Sequence, residues 1–419
     1  MKNKGQKISQ AFQRWLLALV ALAFLTSTAF LWFSQTRLSE DNTHNLLKLN
    51  ILDVEQDIKD LSDENLLKVT HRIAKELNKK VYVTMNILPH DEDFDHLEEY
   101  IMSLDKAGVD AIITSSLHIV HTALKIAPRM ECHISTQMSI ANSYTIEYYK
   151  QEKVKRVVLA REVSLEELKK IMPNDMPIEV FIHGGMCCSY SGRCVLSNYM
   201  TDRDANRGGC AHSCRWNYKL YQGKKKIVRK NQYFNMGSKD MMALKYIPDL
   251  IDLGVASLKI EGRMKSAYYL ATVIRCYRKA IDLYYQNHKI TDDEFKELEK
   301  EINKAENRLT SDGFYRGNIQ VDGTLYDDRC EHPTKEYIGY VLDFDESTMT
   351  ALIEQRNYFE INDLVEFFGP KLENTSYVVD NMYSVNQKCE IDVARHPLEQ
   401  IKIKLPFKVQ KHDMLRKVK

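Results

Sequence analysis

The sequence lacks a charge excess of either sign. Its 419 residues include 59 Lys and Arg against 58 Asp and Glu, a formal net charge of +1. The whole-chain charge therefore predicts no particular partner, and any preference has to come from local patches. Internal repeats and low-complexity segments are also missing, and the length suggests two or three domains.

Cysteine is scarce and unevenly distributed. The chain has nine cysteines, an odd number, and 44% hydrophobic residues. A chain of this size can bury an ordinary core and does not need the disulfides that stabilise small secreted domains. Five of the nine nevertheless lie within residues 187–214, which indicates a local chemical reason for the cluster.

One long hydrophobic run is present near the start of the chain. Residues 15–36 are uncharged, with four basic residues before them and an acidic stretch after them. About 20 apolar residues span a bilayer, and the positive flank stays inside, so the run predicts a signal-anchor helix over residues 1–37 and membrane association. The alternative is a buried helix of a soluble protein. Residues 38–78 are expected to form an irregular helical connector.

Short β-branched runs alternate with amphipathic helical stretches over residues 79–327. This alternation predicts an α/β fold, a (β/α)-barrel of the TIM type with its site at the strand ends. Such a barrel needs eight strands and only six are visible, so it is expected to lack its first two units. The predicted strands are 81–85, 111–114, 132–135, 156–160, 178–182 and 257–260.

The last part of the chain, residues 328–419, has a different pattern. Short runs with alternating hydrophobic residues, such as 337–342 and 401–405, replace the helical stretches. They predict a small antiparallel β-barrel or sandwich as a separate C-terminal domain.

Four of the clustered cysteines have a spacing suited to a metal or cluster. Six residues separate Cys187 from Cys194, fifteen separate Cys194 from Cys210, and three separate Cys210 from Cys214. Four thiolates among glycines suit an iron–sulfur cluster or a tetrahedral zinc ion, and plain free thiols remain a third possibility. Cys188 directly follows Cys187, and since neighbouring side chains diverge, we expect it to pack rather than to bind.

Basic and aromatic residues alternate just after the cysteines. Nine Lys or Arg stand against two Asp between Thr201 and Lys230, with three aromatic residues among them. Basic side chains neutralise phosphates and aromatic rings stack on unpaired bases, so the stretch predicts an RNA contact, with a solvated charged hairpin as the alternative. The candidate residues are Arg203, Arg207, Arg215, Trp216, Lys219, Lys224 and Lys225.

The cysteine-rich block resembles a known family signature. The stretch "HGGMCCSYSGRC", its continuation to "CAHSC", and the later "SLKIEGRMKSAYYLATVIRCYRKAID" resemble the collagenase-like peptidases of unassigned catalytic type. Within that family they resemble the branch of the prephenate-dependent tRNA uridine hydroxylation proteins. The resemblance runs from about residue 78 to the C-terminus, whereas the first 78 residues do not match it.

The resemblance implies a fold, a reaction and a cofactor. It implies a (β/α)-barrel with a small C-terminal β-barrel, carrying a 4Fe–4S cluster on Cys187, Cys194, Cys210 and Cys214. The implied activity is 5-hydroxylation of the wobble uridine of tRNA, with prephenate as co-substrate. A paralogue of the same family is a candidate partner. The catalytic part then belongs in the cytoplasm, in conflict with the predicted anchor. A collagenase-like peptidase and a non-catalytic RNA-binding module are the alternatives.

Four further residues are candidates for the chemistry. His183, Arg161, Glu261 and Arg263 follow predicted strands, where barrel enzymes place their catalytic groups. For Glu261 and Arg263, an ion pair inside the barrel is the alternative. A guanidinium matches a carboxylate in shape, so an arginine would suit a dicarboxylate such as prephenate. His183 lies near Cys187, but a cluster-bound thiolate could not attack a peptide.

Overall fold

A computed structural model describes most of the chain after the N-terminal region. It describes residues 63–172, 175–227, 233–263, 265–305, 308–325 and 337–418. The predicted anchor and most of the predicted connector lie outside these residues. Within the described ranges, no helix is both long enough and apolar enough to cross a membrane.

The first domain alternates strands with helices, as the sequence predicts. Its strands are β1 (Tyr82–Met85), β2 (Ala111–Thr114), β3 (Glu131–Ile134), β4 (Arg156–Val158), β5 (Ile178–Gly184), a hairpin of β6 (Tyr221–Gln222) and β7 (Lys225–Lys226), β8 (Asp240–Met242), β9 (Ser257–Ile260) and β10 (Thr310–Ser311). Its α-helices are α1 (Asp63–Glu76), α2 (Leu97–Lys106), α3 (Leu117–Ile126), α4 (Ser143–Gln151), α5 (Leu165–Ile171), α6 (Leu196–Thr201), α7 (Ile247–Asp252), α8 (Ala267–Asn287) and α9 (Asp292–Asn303).

Local sequence signals fix where several of these helices begin. Ser164 accepts a hydrogen bond from the Glu167 amide ahead of α5, and the Glu167 carboxylate accepts one from the Ser164 amide in return. Thr291 and Glu294 form the same reciprocal pair at the start of α9. Such capping boxes satisfy amide groups that have no partner within the helix.

The main sheet is largely parallel and does not close in the described part of the chain. Its order is β1-β2-β3-β4-β5-β8-β10, with β9 paired in parallel to β5. Among the described residues β1 pairs only with β2, and β8 runs antiparallel to β5. The predicted closed barrel is therefore not confirmed, and an α/β domain with a parallel sheet is what the structure shows. β8 is antiparallel because the long excursion after β5 returns to the end of the sheet where β5 stops.

The C-terminal domain is an antiparallel sheet with its own core. Its strands are β11 (Tyr337–Asp345), β12 (Thr350–Gln355), β13 (Phe359–Glu360), β14 (Leu364–Phe368), β15 (Thr375–Val378), β16 (Tyr383–Ser384), β17 (Cys389–Glu390), β18 (Val393–Ala394), β19 (Gln400–Lys404) and β20 (Met414–Lys417). Eight of them form one sheet in the order β15-β14-β20-β11-β12-β19-β16-β17. Among the described residues its end strands, β15 and β17, do not pair with each other, so the sheet is a half-barrel over a separate apolar cluster.

The two domains share a contact built on α8 and α9. Tyr268 of α8 stacks on Tyr337 of β11, with ring centroids 5.0 Å apart. The buried guanidinium of Arg416 in β20 forms ion pairs with Glu301 of α9 and with Glu366 of β14. An aromatic stack and a buried, doubly paired arginine hold the C-terminal sheet against the helices of the first domain.

Candidate functional site

A cavity of about 350 Å³ opens at the carboxyl ends of the parallel strands. Parallel strands present their carboxyl ends at one edge of the sheet, so the residues that follow them meet there. Asn86 after β1, Gln137 after β3 and Glu261 after β9 all line the cavity. The cysteine-rich excursion after β5 covers this end of the sheet and completes the wall.

Three of the four predicted ligand cysteines line this cavity. They are Cys187, Cys194 and Cys210. Cys214 lies next to them, and the Cys188 thiol is within hydrogen-bonding reach of both Cys187 and Cys214. The Cys188 thiol together with burial raises the pKa of Cys187, whereas hydrogen bonding with Cys188 lowers the pKa of Cys214. Cys188, which is expected to pack rather than to bind, is exposed beside the other thiols.

Backbone contacts hold the cysteine loops in place. The side-chain amide of Asn206 donates to the Cys194 carbonyl at 2.7 Å, and its oxygen accepts from the Cys194 amide at 3.2 Å. Gly184 has a φ of +109°, and a Cβ there would stand 2.5 Å from the Glu261 carbonyl oxygen. A side chain at Gly184 would therefore separate the loop from the strand end, so glycine is required where β5 leaves the sheet.

The cysteines do not form a compact site for one ion. In the described ranges, no three His, Cys, Asp or Glu side chains stand close enough together to hold a single metal. Each ligand of a zinc ion binds the same atom, whereas the thiolates around a four-iron cluster bind different irons. Four thiols beside one cavity are a donor set that suits either group.

Four charged residues, here called the cavity charges, lie at the same end of the sheet. They are Arg161, Glu162, Glu261 and Arg263, and all four line the cavity. No ion pair joins any two of them, or any of them to another described residue within 4 Å. The predicted alternative of an internal Glu261–Arg263 ion pair is therefore not what the structure has.

Backbone groups and hydroxyls hold the cavity charges instead. The Arg161 guanidinium lies 3.9 Å from the centre of the Phe181 ring and donates to the Gly185 carbonyl at 2.7 Å. Burial lowers the pKa of Arg161. Glu261 accepts from the Gly185 amide at 3.3 Å and from the Arg263 amide at 3.1 Å.

His183, a predicted catalytic residue, does not line the cavity. Its side chain is 1% exposed, its Nδ1 lies 3.2 Å from the Tyr277 hydroxyl, and its ring packs against Tyr269. The residue belongs to β5, and its side chain points into the packing between the sheet and α8. This position suits a core hydrogen bond rather than proton transfer to a bound substrate.

The predicted RNA-contacting residues divide into two groups. Arg207 forms ion pairs with Asp93 and Glu92, and Arg215 is nearly buried and pairs with Asp240 at 3.2 Å. These two arginines are therefore structural, which corrects the expectation from sequence. The remaining candidates are exposed around the β6–β7 hairpin and the loop before it, namely Arg203, Trp216, Lys219, Lys224 and Lys225.

Sequence reasoning missed two residues of the site. Tyr190 lines the cavity between Cys187 and Cys194, and Asn206 clamps the Cys194 backbone. Both residues lie inside the cysteine-rich block, and this position was the one feature of the sequence that could have identified them as site residues. Neither residue type indicates a role by itself.

Comparison with known proteins places the chain in a family. The sequence profile of Peptidase family U32 matches residues 55–324, and that of the Peptidase family U32 C-terminal domain matches residues 333–416. The match begins before the boundary predicted near residue 78 and leaves the N-terminal region outside.

Three relatives resemble the chain over most of its length. The tRNA hydroxylation protein P1 of Bacillus subtilis is 42% identical over 355 residues, covering 83% of each chain. The tRNA hydroxylation protein P of Escherichia coli is 30% identical and covers 74% of this chain and 78% of its own. A collagenase of Porphyromonas gingivalis is 29% identical, with 84% and 86% covered. On this evidence the chain belongs to peptidase family U32.

Proposed function

We propose that the protein hydroxylates tRNA, adding a hydroxyl group at position 5 of the wobble uridine with prephenate as co-substrate. The observation that carries the proposal is the cavity, where three cysteines of the cluster motif and the Arg161 guanidinium face one space. Arg161 donates to the Gly185 carbonyl and forms no ion pair within 4 Å among the described residues. Similarity to proteins named for tRNA hydroxylation, over 83% of the chain in one case, supports the RNA substrate.

The cofactor in this proposal is a 4Fe–4S cluster. Cys187, Cys194, Cys210 and Cys214 would hold it, and when bound it supplies electron transfer. The fit rests on two observations. Three of the thiols line one cavity and the Cys214 thiol lies beside them. The Asn206 side chain anchors the backbone of Cys194.

The cavity charges suit a small acid. The guanidinium groups of Arg161 and Arg263 line the cavity and form no ion pair within 4 Å among the described residues. The fork of an arginine matches a carboxylate with two parallel hydrogen bonds. A cavity of about 350 Å³ lies in the size range of small-molecule sites. Arg161 is held against Phe181 and the Gly185 carbonyl, so it needs little reorganisation to meet its ligand.

The exposed hairpin suits the RNA backbone. Lys224 and Lys225 lie at the tip of β6–β7, and Lys219 and Trp216 lie on the loop that leads to it. Exposed lysines neutralise phosphates, and an exposed indole can stack on an unpaired base. A tRNA substrate implies that the catalytic part of the chain is cytoplasmic.

The test is complementation of a host that lacks its own prephenate-dependent enzyme. Expression of the protein should restore hydroxylated wobble uridine, measured by nucleoside mass spectrometry of purified tRNA. Expression of a Cys210→Ala variant should not restore it, with equal protein levels checked by immunoblot. Unmodified tRNA with well-folded wild-type protein would reject the activity, and retained tRNA binding in that case would favour a binding module.

A peptidase is the second candidate, favoured by the relative named collagenase. A cysteine peptidase needs a histidine within hydrogen-bonding reach of its thiol. His183 is instead buried against Tyr277 and does not line the cavity, which weighs against this candidate. Gelatin cleavage by the wild type that is lost in both Cys187→Ala and His183→Ala would support a peptidase.

A further inference from the structure

The loop between Cys187 and Cys194 carries an aromatic side chain at the mouth of the cavity. Tyr190 lines the cavity together with Arg161, Cys187 and Cys194, yet it is 51% exposed. Its hydroxyl makes no hydrogen bond to any described residue. One part of the side chain therefore faces the cavity while another part faces solvent.

Polar contacts fix the backbone on both sides of Tyr190. The Ser191 amide donates to Glu162 at 3.0 Å, and the Ser191 hydroxyl donates to the other oxygen of that carboxylate at 2.9 Å. Ser139 donates to the Ser191 carbonyl and accepts from the Arg193 side chain at 3.2 Å. The loop is thus tied to the residues that follow β3 and β4.

A glycine brings the same loop against the sheet. Gly192 has a φ of +73°, and a Cβ there would stand only 2.0 Å from the Gln137 carbonyl oxygen. The loop can lie this close to the strand end only because residue 192 has no side chain. The position of the Tyr190 backbone is therefore set by neighbours on both sides and does not depend on the tyrosine ring itself.

We propose that Tyr190 is the stacking platform for the unpaired base that enters the cavity, an inference that rests on the proposed tRNA hydroxylation. Enzymes that modify a base in nucleic acid hold it out of the helical stack, commonly against an aromatic ring. A ring held by a rigid loop loses little conformational freedom when a base packs on it. Stacking tolerates any base, so Tyr190 supplies affinity and position, while recognition of uridine falls to polar groups deeper in the cavity.

The experiment measures binding of an anticodon stem-loop RNA that carries 2-aminopurine at the wobble position. Tyr190→Ala should weaken binding by roughly 5- to 150-fold, since base–aromatic stacking contributes about 1–3 kcal/mol per base. It should also remove the fluorescence quenching that accompanies stacking. Tyr190→Phe keeps the ring and should behave like the wild type.

A matched control is available on α8. Tyr285 is 52% exposed, close to the value for Tyr190, and lies near the C-terminal end of a helix that begins at the cavity side of the sheet. Tyr285→Ala should therefore leave both affinity and quenching unchanged. Thermal unfolding of each variant shows whether the loop substitution has altered the fold.

The two proposals fail in different ways. Wild-type affinity and quenching in Tyr190→Ala would overturn the stacking role, even if tRNA is hydroxylated normally. Loss of stacking in Tyr190→Ala, with no hydroxylated uridine in any complemented host, would support the platform and reject the reaction. A Tyr190→Ala defect confined to gelatin cleavage, with RNA binding intact, would overturn the platform in favour of a peptide substrate.

Discussion

Two kinds of charged group lie inside the first domain, and they are held differently. Beside the cavity, Glu179 of β5 contacts Lys259, whose side chain lines the cavity wall, at 2.7 Å and Arg156 at 3.4 Å. At the cavity, the Arg161 guanidinium contacts the Gly185 carbonyl and the Phe181 ring. Glu261 accepts from two backbone amides, and it interacts electrostatically with Arg161 without an ion pair within 4 Å. In the first group ion pairs satisfy the charges, whereas no ion pair within 4 Å joins Arg161 and Glu261, and we propose that these two charges are available to a ligand.

A second group of paired charges surrounds one buried carboxylate. Asp240, which is 0% exposed, contacts Arg215, Lys265 and Arg308 at 3.2, 3.3 and 3.5 Å. Burial alone would raise the pKa of Asp240, but these three cations lower it. Asp240 thereby joins β8, the cysteine-rich excursion, the loop after β9 and the residues ahead of β10. The paired groups hold the scaffold on which the cavity charges stand.

The largest effect is expected at Asp240. Asp240→Asn leaves three nearly buried cations without their carboxylate, so the free energy of unfolding should fall by about 3–5 kcal/mol. Urea denaturation followed by circular dichroism measures the loss. Glu346→Gln removes the exposed partner of Lys408 and should cost no more than about 1 kcal/mol. If the free energy of unfolding falls equally in the two variants, the buried ion pairs of Asp240 stabilise the protein no more than an exposed surface pair does.

Arg161 should show the opposite pattern. Arg161→Ala removes the guanidinium that we propose binds a carboxylate of the co-substrate. The rate of tRNA hydroxylation should fall about tenfold to a hundredfold, the loss expected for a charge-assisted hydrogen bond of about 1.5–3 kcal/mol. Stability should fall by about 1 kcal/mol at most, the contribution of its contact with Phe181. Arg129→Ala, on the surface, should change neither. Normal hydroxylation with severe unfolding would make Arg161 a scaffold residue.

Asp413 is a buried acidic residue of the C-terminal domain. It is a buried carboxyl with no ion pair among the described residues, and burial raises its pKa to about 6. A raised pKa in the folded state means that stability is fully present below the unfolded value near 4 and is lost as pH rises through about 6. Asp413→Asn should therefore be more stable than the wild type at pH 7 by about 1–2 kcal/mol, and the difference should disappear below pH 4. Thermal unfolding across pH 4–7 measures it, and a pH-independent difference would contradict this account.

The smallest effect concerns exposed lysines. Replacing Lys224 and Lys225 by Ala should reduce the slope of log affinity against log salt for single-stranded RNA by about 1.4, since each phosphate contact contributes about 0.7. Lys296 and Lys300 on α9 are also exposed, and their double replacement should leave the slope unchanged. Fluorescence anisotropy over a salt series provides the values. Matching slopes for the two double variants would remove the hairpin from the RNA surface.

Much of the first domain could be predicted from the sequence. The runs 111–114 and 257–260 coincide with β2 and β9. The apolar residues 111–113 form the kind of run that a buried parallel strand favours. β8 and β10 were missed because they have only three and two residues. So short a strand leaves no periodic pattern, and its pairing is decided by the sheet it joins.

The site was predictable where motif spacing defines it and not where tertiary contacts do. The spacing of Cys187, Cys194 and Cys210 brought all three to one cavity, as expected. Arg207 was misassigned because its partner Asp93 lies 114 residues earlier, and such a pairing has no local signal. The role of His183 was misread because the tyrosine that binds it comes from α8.

We propose that the cysteines around the cavity hold a redox cluster, and iron analysis of anaerobically purified protein tests this proposal most directly. We predict a brown protein with about four irons per chain. Replacement of Cys187, Cys194, Cys210 or Cys214 by Ala should remove the colour and the iron, while Cys188→Ala should retain both. Stoichiometric zinc without visible absorption, or iron that survives all four replacements, would contradict the account.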